Sequence, residues 1–188
     1  MRWDELFADL EAQLEAGLGA EERVGEAEEE RLRLGRLSLR DRIAAMGHGR
    51  RPVRIRLVTG ALLDLAPRTL GRDWIAGDLA GGAQAILPLT GVGALLPTAE
   101  QIGLEPPPPR EGALTDRLGL PFVLRDLARR RRTLEVTTRR GVLTGTLDRV
   151  GRDHVDLAVH PLDEPRRSTS VVRLEVLPLT EVVLVRVD

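Results

Sequence analysis

The sequence predicts an α+β fold: N-terminal helices followed by two tandem five-stranded small barrels. Three observations predict it. Apolar residues recur with a helical period up to about residue 46 and with a period of two after residue 50. The two β-rich stretches match each other in sequence. A proline-rich stretch lies between them, with Pro97 and Pro106 to Pro109.

Trp3, Leu6, Phe7, Leu10 and Leu14 fall on one face of a first helix, which Gly17 and Gly19 would end. This stripe is a candidate partner-binding face; the competing reading is that it docks internally. A second helical stretch runs from about Ala20 to Ala45, with Gly25 and Gly35 arguing against one continuous helix. Residues 1–46 thus form an acidic helical segment, net charge -5, while residues 47–110 and 111–188 each carry +2.

A first β unit spans 47–97. Val53, Ile55 and Leu57 alternate with Arg54 and Arg56, as a half-buried strand does. Gly81-Gly82 suits a hairpin turn. Residues 98–119 read as an extended linker, because consecutive prolines fit neither a helix interior nor a central strand. The second unit spans 120–188. Its leading helix runs from about Leu120 to Arg131, with Pro121 in the first turn. Five strands are expected after it: 134–138, 142–150, 154–160, 170–177 and 181–187.

Three matches, in the same order, relate the units. Leu39-Arg40-Asp41 recurs as Leu124-Arg125-Asp126, Gly71-Arg72-Asp73 as Gly151-Arg152-Asp153, and Leu87-Pro88-Leu89-Thr90 as Leu177-Pro178-Leu179-Thr180. The second copy is ten residues longer between its last two matches. Collinear matches with one insertion point to duplication. Five short strands are expected to close on themselves, since closure removes sheet edges.

A helix followed by five short strands resembles the Sm-like (LSm/Hfq-type) small barrels, a branch of the SH3-like architecture. Gly141-Val142-Leu143-Thr144-Gly145-Thr146-Leu147, then Val150, Asp153 and Val155-Asp156-Leu157, is similar to the family's first motif. Val176 to Val183 is similar to its second. The resemblance implies the barrel fold and ring-like assembly through strand edges. The family's base-contacting Asn would fall at Asp156 and about Ala76, and its Arg-Gly at Pro178-Leu179 and Pro88-Leu89. An Asp repels phosphate, and Pro and Leu offer no side-chain donor, so the usual RNA pocket is not expected.

Composition narrows the chemistry. There is no cysteine, which excludes disulfides, thiolate metal sites and a cysteine nucleophile. All 28 basic residues are Arg, and Lys, Asn and Tyr are absent; a GC-rich bacterial genome explains that bias without phosphate recognition. Arg129, Arg130, Arg131 and Arg132, with Arg139 and Arg140, are the first candidate nucleic-acid cluster. Arg50, Arg51, Arg54 and Arg56 are the second. Helix-dipole complementation and solvent-facing edge charge account for them equally well. His154 and His160 lie about 20 Å apart along one strand, too far to share a metal. No nucleophile–base spacing or phosphate-cradling loop is visible, so no enzyme activity, metal, cofactor or small-molecule substrate is expected. The N-terminus lacks a signal-peptide core and no stretch reaches membrane-span length, which predicts a cytoplasmic protein with no membrane partner.

The expected function is a non-catalytic assembly or adaptor module, a homo-oligomer or the partner of another protein, within nucleic-acid metabolism. The rival expectation is direct binding of RNA or single-stranded nucleic acid through the Arg clusters.

Overall fold

The structure is a computed structural model that describes residues 28–106, 114–162, 167 and 169–187. The chain divides into two compact units, Met1–Ser38 and Leu39–Asp188. Within the first, residues 28–36 are helical and carry Glu30–Arg33 and Glu28–Arg31 ion pairs one turn apart. The stripe Trp3, Leu6, Phe7, Leu10, Leu14 lies outside the described residues.

The second unit opens with α1 (Leu39–Met46), which buries Ile43, Ala45 and Met46. Strands β1 (Val53–Leu57), β2 (Leu62–Leu70), β3 (Trp74–Leu79), β4 (Gln84–Pro88) and β5 (Val92–Leu95) follow. A short helix α2 (Ala99–Ile102) comes next, and its buried Gln101 donates to the carbonyls of Met46 and Pro52. The second repeat comprises α3 (Leu120–Arg130), β6 (Thr133–Thr138), β7 (Gly141–Val150), β8 (His154–Val159), β9 (Arg173–Pro178) and β10 (Val182–Val187). β1 shows why the strands form: Val53, Ile55 and Leu57 are buried while Arg54 and Arg56 are exposed.

All ten strands lie in one antiparallel sheet, ordered β5-β1-β2-β3-β4-β10-β6-β7-β8-β9. This corrects the expectation of two closed five-stranded barrels. β4 does not return to its own β5; it pairs with β10 of the other repeat, Val185 opposite Ile86 and Val187 opposite Gln84. The edge problem that favours closure is met by joining the repeats, which leaves β5 and β9 as the two ends of the order. Tandem small barrels therefore do not describe the architecture.

The duplication is nevertheless visible in the backbone. Each repeat runs fifth, first, second, third, fourth strand across the sheet. The register slips between Pro67 and Thr69 in β2, and at the corresponding place, Leu147 to Arg149, in β7. The sequence matches converge on one hydrogen-bonded corner. Arg40 donates to the carbonyls of Leu70 and Gly71, and Arg125 to those of Val150 and Gly151. Leu89 N–H donates to Asp73 O at 2.9 Å, and Leu179 N–H to Asp153 O at 2.7 Å. A Cβ at Gly71 would overlap the buried Trp74 indole, which cannot move aside, whereas one at Gly151 would meet the exposed His154 ring, which would have to turn away.

Two hydrophobic cores flank the β4–β10 seam and exchange residues across it. Val183 and Leu184 of the second repeat complete the core built on Ile43, Ile55, Leu65 and Leu87. Trp74 and Ile86 of the first repeat complete the core built on Leu120, Leu124, Val136 and Leu157. β4 is therefore covered on both faces. Among the described residues no helix is long and apolar enough to cross a membrane.

Candidate interaction surface

β9 is the second repeat's version of β4, placed at the sheet's end. The Leu-Pro-Leu-Thr match aligns Val176 with Ile86, yet Ile86 is 5% exposed and Val176 67%. Leu174 and Val172 continue the same exposed row at a spacing of two. Leu174 and Val176 within β9 and Val172 just before it make an exposed apolar row of the kind that sheets normally avoid at an edge.

The opposite end of the sheet is the complementary one. β5 is the first repeat's version of β10. Leu95 opposes Ile55 as Val185 opposes Val136, so Leu95 corresponds to Val185. Leu96 N–H donates inward to Arg54 O at 2.9 Å, so by alternation the Leu95 N–H faces outward. Position 97 faces outward too, and Pro97 has no N–H to offer there. The helix side shows the same asymmetry. Leu124 is 1% exposed within the second core, while Leu39, its equivalent in the Leu-Arg-Asp match, is 42% exposed.

The Gly-Arg-Asp corners differ in the same sense. At the first corner, Arg72 N–H and the Trp74 indole N–H both donate to Leu118 O, at 3.0 and 2.9 Å. Asp73 Oδ1 accepts from Leu120 N–H at 2.7 Å. These bonds hold the chain entering α3. At the second corner Asp153 stands 85% exposed and accepts from His154 Nδ1–H at 2.8 Å. That hydrogen bond holds the Asp153 carboxyl below the usual carboxylate range.

The predicted arginines are dispersed. Arg129 and Arg130 pair with Asp126 on α3, and Arg131 ends that helix in a left-handed conformation. Arg132 is exposed at the entry to β6. Arg139 and Arg140 lie beyond the far end of β6, about 20 Å of strand away. There Arg139 donates to the carbonyls of Thr180 and Thr90, bracing the seam, and Arg140 faces Glu181. Arg54 forms a two-pronged pair with its cross-strand neighbour Asp64, which raises its pKa. Arg50 sits at positive φ in a turn beside exposed Arg51, and Arg56 is exposed on β1.

The structure assembles a different basic cleft. Arg125, Arg129, Arg131 and Arg149, with Asp148, line an open depression of about 720 Å³ between α3 and β7. A smaller one adjoins it, lined by Arg72, Arg125, Arg152 and the exposed Phe122. Its field attracts anions. Arg72, Arg149 and Arg152 escape a search for runs of adjacent arginines; the repeated Gly-Arg-Asp was the signal for two of them.

His160 is buried. Its Nδ1 lies 2.8 Å from Pro161 O, which only accepts, so Nδ1 carries the hydrogen. Nε2 then accepts from the Thr146 hydroxyl at 2.9 Å. Thr146→Val would leave that nitrogen unpaired and should cost about 1–3 kcal/mol in urea unfolding. An unchanged midpoint would show that the bond contributes nothing. No family model, curated protein or solved structure matches the chain.

Proposed function

We propose that the chain is a non-catalytic assembly module that associates head to tail, β9 of one copy adding to β5 of the next. The observation that carries this reading is the β4–β10 seam. It joins a fourth strand to a fifth strand inside the chain. The two strands left at the sheet's ends are again a fourth and a fifth. One further copy placed by the same operation would lay Leu95 opposite Val176, as Val185 lies opposite Ile86. It would cover the Val172, Leu174, Val176 row. Such a contact is heterologous, so it closes into a ring or extends as a filament according to the rotation per copy. Pro97 removes one outward donor, which makes the contact between copies a shortened version of the internal seam.

The absence of cysteine gives a clean test. Leu95→Cys and Val176→Cys proteins are prepared separately, mixed and mildly oxidised. A covalent dimer is expected in the mixture and not in either protein alone, because the paired positions lie on opposite edges. Equal yields from Leu95→Cys alone would overturn the head-to-tail register, and no dimer at any concentration would overturn the edge pairing.

A further inference from the structure

We propose that the basic depression at the start of α3 is a nucleotide-binding surface, with phosphates on Arg72, Arg125 and Arg152 and the base on Phe122. The site uses no residue of β5 or β9, so it stands apart from the head-to-tail reading.

The fold gathers these groups from three places. Arg72 and Arg152 belong to the two Gly-Arg-Asp corners, and both meet the first turns of α3 in one depression of about 270 Å³. The apolar face of α3, with Leu120 and Leu124, is buried in the second core. That burial turns Phe122, Arg125 and Arg129 outward, at i, i+3 and i+7 on one exposed face.

The arginines here are available to an anion. Elsewhere on the sheet an arginine meets a carboxylate: Arg54 meets Asp64, Arg68 meets Asp78, and Arg186 meets Glu135. Among the described residues no ion pair holds Arg152, and Arg72 has only its neighbour Asp73, at 3.5 Å. Arg125 gives Nε and Nη2 to the carbonyls of Val150 and Gly151, which fixes the guanidinium and leaves Nη1 to offer. No carboxylate lines the depression. The corner carboxylates Asp73 and Asp153 accept from Leu120 N–H and His154 Nδ1–H. Guanidinium groups suit phosphate because each presents two parallel N–H donors.

Phe122 selects among anions. It is 53% exposed and lines the same depression as the three arginines. A bare phosphate or a carboxylate gains little from an aromatic face. A nucleobase stacks on it, which is worth about tenfold in affinity. The wider depression shares Arg125 and continues along α3 with Arg129, Arg131 and Arg149, and Asp148 is the one carboxylate on its lining. Further phosphates of a strand fit that track.

The test titrates the full chain into a fluorescein-labelled oligothymidylate of about ten residues, at about 50 mM salt, and follows anisotropy. Phe122→Ala and Arg152→Glu should each weaken binding about tenfold. Arg56→Glu, which reverses an exposed charge on β1, should leave it within about twofold. Displacement by ATP assigns the surface to a free nucleotide. Displacement by unlabelled strand alone, with log affinity falling against log salt at a slope of about -2 for three phosphate contacts, assigns it to a nucleotide within a strand. Tripolyphosphate or polyglutamate competing as well as the nucleotide, or no effect of Phe122→Ala, would overturn the base contact. No binding, or equal losses in Arg152→Glu and Arg56→Glu, would overturn the site.

Discussion

Replacing Trp74 by alanine is expected to cost about 3–5 kcal/mol, while the same replacement at His154, its counterpart in the second repeat, should cost less than about 0.5 kcal/mol. The two positions follow the same Gly-Arg-Asp triplet and pair with the same proline of the next strand, Pro88 and Pro178. Their surroundings differ. Trp74 is packed among Ile86, Leu120 and Leu124, and its indole N–H anchors the chain entering α3. Truncation leaves a cavity of indole size between a strand of one repeat and the helix of the other. Leu118 O keeps the Arg72 amide as a donor, so most of the loss is packing. Trp74→Phe separates the two contributions: it retains most of the ring volume and should lose only about 1 kcal/mol for the hydrogen bond. At roughly 2–4 °C per kcal/mol for a chain of this size, Trp74→Ala should lower the melting temperature by about 6–20 °C. The melt, followed by far-ultraviolet circular dichroism, should remain one transition, because each core contains residues of both repeats. A small effect at Trp74, or a large one at His154, would contradict the account of the seam.

Much of this molecule was legible in the sequence. The alternation from Val53 onward placed the strands, and the three repeated matches turned out to be one corner made twice, with Arg40 and Arg125 on the turn carbonyls. What the sequence did not carry was the identity of the strand beside β4. Ile86 and Val176 are both β-branched and apolar, and local alternation assigns each to a strand without saying what lies next to it. Pairing between Ile86 and Val185 spans a hundred residues, and closure on β5 would have satisfied the same pattern. The sign that the two copies differ was the Trp74–His154 pair: a large apolar ring where a neighbour covers the position, a polar one where solvent does. The arginines misled for a related reason. Arg129 to Arg132 and Arg139-Arg140 are close in sequence, but β6 holds them at opposite ends, while Arg72, Arg125 and Arg152 meet from three separate elements.

Val176→Arg should abolish association and leave the isolated chain as stable as before. The side chain already faces solvent on β9, so a guanidinium there costs the folded monomer little, and a charge on an edge strand is a common guard against pairing. In an assembly built like the seam, however, position 176 would take the place of Ile86, enclosed by a partner's helix and strand. An unpaired charge moved into such a site costs several kcal/mol, enough to weaken the contact by more than about a hundredfold. Ile86→Arg provides the internal comparison. The same substitution at the equivalent residue falls inside the existing seam and should destabilise the chain by about 3 kcal/mol or more. Sedimentation velocity reads the first effect and thermal unfolding the second. If Val176→Arg assembled as wild type does, the exposed Val172, Leu174, Val176 row would not be the surface of contact. If it lowered the melting temperature as much as Ile86→Arg, β9 would be an interior strand and not an edge. The contrast between one arginine that dissolves an assembly and another that unfolds a monomer follows from a single difference: among the described residues β4 has a paired strand on both sides and β9 on one.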